Sequence, residues 1–271
     1  MNAHHNDLPL KGSIPLIYIL SFLIAGLILV ASVAGLQYRS DIYPTEESMQ
    51  TFVPNDVVNL FIGLPILLVS MWLAWRGKLI GLLCWTGALF FVFYNYTAYV
   101  FVMPLNWAFL LHLVLAVLSV YTLTGLVASI NGALVQQRLS GAVPEKFAGG
   151  VLAGLGSLFL FRVIGVLANS VASGVSLPET ELAVNIADFL TTPAWIVGGI
   201  LLWRRKAFGY VTGLGLLFQG SMLFIALIVF LILQPLLTNA LFAIVDVIVI
   251  FVMGMICFIS FALFVRGVGK A

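Results

Sequence analysis

Between Ile14 and Val265 the chain is a succession of apolar runs of about 20 residues, separated by short polar links. A run of that length crosses about 30 Å of hydrocarbon as a helix. The pattern predicts eight such spans, over 14–34, 56–75, 79–101, 105–130, 149–171, 182–203, 207–233 and 237–265. A transmembrane barrel would instead show short segments that alternate apolar and polar positions, and these runs are continuous. The expected fold is an all-α polytopic membrane protein with eight transmembrane helices.

Composition strengthens that reading. Hydrophobic residues make up 62% of the chain and charged residues 8%, whereas soluble domains carry about 25% charged residues. The few charges alternate in sign from link to link. Arg76 and Lys78, Arg138 and Lys146, Arg204 to Lys206, and Arg266 with Lys270 fall on one side. Asp41, Glu46 and Glu47, then Glu179 and Glu181, fall on the other, with Arg39 as the lone cation there. The positive-inside rule then places both termini in the cytoplasm, with a prokaryotic inner (plasma) membrane as the expected location. The first run is longer than the usual core of a signal peptide, so it is expected to stay as a span despite the small residues "ASVAG" that follow it.

The two halves resemble each other. A shift of 128 residues aligns Pro65 with Pro193, Trp75 with Trp203, Arg76 with Arg204 and Lys78 with Lys206. It also aligns Gly81 with Gly209, Gly87 with Gly215 and Phe90 with Phe218. Four spans are an even number, so both halves enter the membrane the same way. The expectation is two parallel four-helix repeats, 14–130 and 149–265, joined by a cytoplasmic linker 131–148 and flanked by cytoplasmic tails 1–13 and 266–271. Glycines spaced four apart, Gly150 and Gly154 or Gly209 and Gly213, predict close helix packing within the chain, with homodimerisation as the alternative use. Trp72, Trp75, Trp107 and Trp203 are expected at the interfaces.

Candidate chemistry comes from depth counting at about 1.5 Å per residue. Arg162, Asp188, Asp246, His112 and Gln219 come from five different spans and fall in one layer of the outer half. Asn59, Asn95, Asn169 and Asn185 lie above it, and Asp56 at its rim. A charge facing lipid at a helix centre costs about 2.5–3.5 kcal/mol, so Arg162 is expected to pair with Asp188, Asp246 or both. Two readings of the layer follow: a sealed ion pair that fixes helix register, or a polar cavity open to the outside. The site expected on the second reading comprises Arg162, Asp188, Asp246, His112, Gln219, Asn59, Asn185 and Asn95. Tyr94, Tyr96 and Tyr99 line its mouth or form an aromatic belt.

Absences narrow the chemistry. Every lysine falls in a tail or link, and only His112 among the histidines lies within a span, so retinal and bis-histidine haem have no attachment point. Cys84 and Cys257 form no C-x-x-C and read as packing residues. No zinc-protease, serine-hydrolase or phosphate-loop motif occurs, and no cofactor or metal site is expected. A net charge of +2 without charge blocks gives no nucleic-acid surface. The leading expectation is binding or transport of a small solute or ion, an anionic solute or a proton. An assembly partner or sensor with an outward cavity for a ligand or lipid headgroup is the alternative. An intramembrane lipid enzyme using Asp188 and Asp246 ranks third.

Overall fold

The computed structural model describes residues 8–270; the first seven residues, His4 and His5 among them, and Ala271 lie outside the described part. The described residues form helices and links with no strand beyond an isolated bridge between Leu10 and Ile130. Helix α1 spans Pro15–Gln37, the short α2 spans Arg39–Ile42 and α3 spans Glu46–Val58. A π-helical turn, Asn59–Gly63, joins α3 to α4, Leu64–Trp75. The chain continues with α5 (Leu79–Val102), α6 (Trp107–Ser129), α7 (Gly132–Leu139) and α8 (Glu145–Ser173). It ends with α9 (Glu179–Trp203), α10 (Ala207–Leu237) and α11 (Ile244–Val268). Eight of these helices, counting α3 to α4 as one, are long and apolar enough to cross a membrane, which makes the chain a multi-pass membrane protein.

Several boundaries differ from the hydropathy reading, each for a local reason. The second span starts at Glu46 rather than 56, because Thr45 caps it: its hydroxyl accepts from the Ser48 amide at 3.1 Å while Ser48 Oγ accepts from the Thr45 amide at 3.2 Å. Hydropathy misses this polar first stretch, although the Thr-Glu-Glu-Ser sequence carries the capping signal. The linker 131–148 is not all loop, since Asn131 caps α7 and Glu145 opens α8. The last span opens at Ile244 rather than 237, which moves Asp246 into the first turn of α11.

Helix α5 is the buried axis of the molecule, with nearly all of its positions from Gly81 to Tyr99 covered. It lies against α10 so closely that a methyl on Gly87 would collide with the carbonyl of Gly215, and one on Gly215 with Thr86 and the Leu83 carbonyl. In lipid, where apolar side chains gain little by leaving the solvent, such backbone approach is a main source of helix association. The same device joins α8 to α9: a methyl on Gly149 would sit 2.5 Å from the Gly199 carbonyl oxygen, and one on Gly156 would press on Trp195 and Ile196. A methyl on Gly150 would press on the Trp203 ring, whereas Gly154 faces open space.

The turns after Trp75 and Trp203 are built alike. Lys78 N donates to Leu73 O at 3.0 Å, and Lys206 N to Leu201 O at 2.8 Å. Gly77 and Arg205 both hold positive φ, 75° and 54°, a conformation that costs a non-glycine residue about 1 kcal/mol or more. Exposed Trp72, Trp75 and Trp203 mark this basic end, and the Arg76 guanidinium stacks on Trp72 at 4.7 Å. At the same end buried Glu145 accepts from the Gly141 amide at 2.7 Å and the Tyr210 hydroxyl at 2.9 Å, tying the linker to α10.

Two glycine substitutions separate packing from propensity. Gly87→Ala is expected to lower stability by about 1–3 kcal/mol through overpacking. Gly154→Ala is expected to leave it unchanged or raise it by up to about 1 kcal/mol through helix propensity. Thermal melts of the two variants in one detergent check the contrast.

Candidate functional site

The expected polar layer does not converge on one cavity. Its members fall into three separate groups, and Asp246, Asn95 and Asn185 join none of them.

The most enclosed group sits among α1, α3, α5 and α6. Asp56, fully buried, is held by two phenols: Tyr43 donates to Oδ2 at 2.6 Å and Tyr99 donates to Oδ1 at 2.8 Å. Asn59 Nδ2 adds a long bond to the Tyr99 oxygen at 3.4 Å. Asp56 and Asn59 end α3 and start the π-helical turn, where the Asn59 amide is shared between the Asn55 and Asp56 carbonyls. Such widened turns recur at functional sites. The opposite wall is Gly35 of α1, where any side chain would collide with the Asp56 carboxyl and the Tyr43 hydroxyl.

His112, on the buried stripe of α6, packs at a tilt against Tyr99 at 4.7 Å and stacks on Tyr96 at 5.7 Å between ring centroids. Its Nδ1 is buried without a hydrogen-bond partner among the described residues. Among the described residues the partners of the Asp56 carboxyl are phenols, and neither ion pair includes it. The cover is the link between α2 and α3, which carries Tyr43 stacked on Phe52 at 5.7 Å. Burial and the neighbouring Asp56 hold the Tyr43 phenol well above its ordinary pKa, so Tyr43 stays a donor. Chemically this is a carboxyl group with two hydroxyl donors and an imidazole nearby, suited to holding or passing a proton.

The second group is the Arg162 pair. Arg162 Nη1 meets Asp188 Oδ2 at 3.1 Å, and the Tyr94 hydroxyl donates to Asp188 Oδ1 at 2.9 Å. The pair ties α8 to α9 and, through Tyr94, to α5. The arginine side chain is 45% exposed and the aspartate 14%, so the cation sits on the flank of the bundle rather than in its interior. Asp246 takes no part: in the first turn of α11 it is exposed. The third group joins α9 to α10, where the Trp195 indole donates to the buried Gln219 Oε1 at 2.6 Å. Asn95 and Asn185 turn back on their own helices, donating to the Phe91 and Glu181 carbonyls at 3.1 and 2.8 Å.

Sequence reasoning therefore left Asp56 at the rim and missed Tyr43 altogether. The available signal was the polar content of the 43–59 stretch, which the hydropathy boundaries divided between a loop ending at 55 and a span starting at 56.

Tyr43→Phe is expected to keep the ring stack but leave one carboxyl oxygen of Asp56 without its donor, at a cost of about 1–3 kcal/mol. Tyr38→Phe, on an exposed residue, is the control, with no change expected beyond about 0.5 kcal/mol. Melting temperatures in one detergent read the difference. No protein-family model, no curated protein and no solved structure matches the chain, so the reading of function rests on this geometry.

Proposed function

We propose that the protein binds a small ion, the proton, at Asp56 in the outer half of the membrane, as part of proton-linked binding or transport. The observation that carries the reading is the fully buried Asp56 carboxyl, held by Tyr43 and Tyr99 with no cation paired to it among the described residues. A carboxyl in that position is expensive to keep for packing alone. The Tyr43 link is its cover on the side away from the basic end. The buried stripe of α6 continues from His112 to Ser119 and Thr122, whose hydroxyls are buried without partners among the described residues. By contrast, exposed Thr124 on the same helix bonds back to the Val120 carbonyl at 2.7 Å. Unpartnered hydroxyls along one stripe support a polar route toward the basic face.

On this reading the halves 14–130 and 149–265 are parallel repeats with both termini cytoplasmic. The matching turns at Trp75 and Trp203, and the meeting of Gly87 with Gly215, its partner under the 128-residue shift, support that symmetry. The site is not duplicated: the positions matching Asp56, Tyr99 and His112 are Val184, Leu227 and Ala240. The first half carries the chemistry, and the second supports it.

The half-exposed Arg162, with Asp188 beside it on the α8 and α9 flank, favours a second reading. In it the protein is a non-transporting assembly partner or sensor that presents this pair to a lipid headgroup or another helix.

Proteoliposomes loaded with a pH-sensitive dye test the first reading. Wild-type protein is expected to dissipate an imposed pH gradient, Asp188→Asn to match it, and Asp56→Asn to fall to the rate of protein-free vesicles. An Asp56→Asn variant as fast as wild type would remove Asp56 from the function. Wild-type protein no faster than empty vesicles would favour the second reading.

A further inference from the structure

A separate feature lies at the basic end of the bundle. A groove of about 770 Å³ runs between α6 and α9 over the α5–α10 crossing. Its floor is the glycine contact of Gly87 and Gly215, its far end is Phe90, and Ala194 and Gly198 of α9 line one wall. The lining is mainly apolar and includes no acidic side chain. The opening faces sideways, past exposed Thr124 and Val197, into what would be hydrocarbon. From Ala207 to Leu216 the groove follows α10 for about 14 Å, close to the thickness of one leaflet.

The mouth has the opposite character. Lys11 lies there with its Nζ donating to the Ala128 carbonyl at 2.9 Å, on the exposed surface. Gly132 and Ala133, in the first turn of α7, lie at the same end. So does Ala207, which opens α10 directly after exposed Lys206. One lysine, Lys11, and two helix starts thus lie at one end of an otherwise apolar cleft. Lysines at a membrane surface and amides at helix starts both favour anions.

We propose that this groove binds an anionic phospholipid of the leaflet at the basic end, its acyl chain over the Gly87–Gly215 floor and its phosphate at Lys11. The lateral opening admits a lipid without leaving the bilayer. The sign of the mouth selects an anionic headgroup over a zwitterionic one, and the depth accommodates a chain within one leaflet. This site shares no residue with the Asp56 cluster, so the two stand or fall separately.

Native mass spectrometry of the full chain, delipidated in detergent and titrated with phosphatidylglycerol or phosphatidylcholine, tests the proposal. Wild-type protein is expected to retain phosphatidylglycerol in preference. Lys11→Gln is expected to reduce that preference about fivefold, the effect of one cation near the surface, with phosphatidylcholine binding unchanged. Thr124→Trp, which crowds the opening from an exposed position, is expected to weaken both lipids. Neither substitution touches the buried core, and an unchanged melting temperature in delipidated detergent confirms the fold. Equal affinity of wild-type protein for the two lipids overturns the proposal. So does phosphatidylglycerol binding that Thr124→Trp leaves unaltered, or a dimer that forms through this face in place of lipid binding.

Discussion

The approach of α5 to α10 at Gly87 and Gly215 is the contact on which the other features depend. With no side chain at either position, the two backbones meet, and α5 becomes an axis with neighbours on every side. That burial is what allows one helix to serve three environments. Its end away from the basic face places Tyr99 on Asp56 and Tyr94 on Asp188, on different flanks. Its basic half supplies Gly87 and Phe90 to the apolar groove. A side chain at the crossing would push the helices apart and change all three together.

Around that axis polar groups are treated in two ways, set by how far each lies from the bundle surface. Arg162 cannot lose its charge, and it sits on the flank, where its long stem can carry the guanidinium toward the interface while Asp188 neutralises it. Asp56 has no such escape. It lies against Gly35 under the Tyr43 cover, and phenols rather than cations satisfy it. Neutral donors leave a carboxyl free to gain and lose a proton, whereas a fixed ion pair would hold it ionised. That difference is why Asp56, and not the more conspicuous arginine, is the centre of the proposed chemistry.

Much of the architecture was legible from hydropathy, because a bilayer demands about 20 apolar residues per helix and the chain supplies them eight times. That Arg162 would pair with an aspartate was legible for the same reason, since an unpaired charge in a span is costly, but the choice of Asp188 over Asp246 was not. What failed was depth counting from hydropathy boundaries. Helices that begin with polar turns, such as the one capped by Thr45, start before the apolar run, and α11 starts after it. The resulting errors put Asp56 at the rim and Asp246 deep, the reverse of their burial. Sharing a depth also says nothing about facing a common space. His112 and Gln219 are both buried, yet His112 packs on the tyrosines of α5 while Gln219 meets Trp195. The direction of a side chain around its helix is decided by packing, which hydropathy does not record.

The central claim is that the carboxyl of Asp56 takes up and releases a proton within the folded protein. Infrared difference spectra between acid and alkaline conditions, recorded on membranes containing wild-type protein or Asp56→Asn, read that event directly. The account predicts a protonated-carboxyl band in wild type that disappears on alkalinisation, shifts in heavy water and is missing from Asp56→Asn. Spectra that are the same for the two proteins would contradict it.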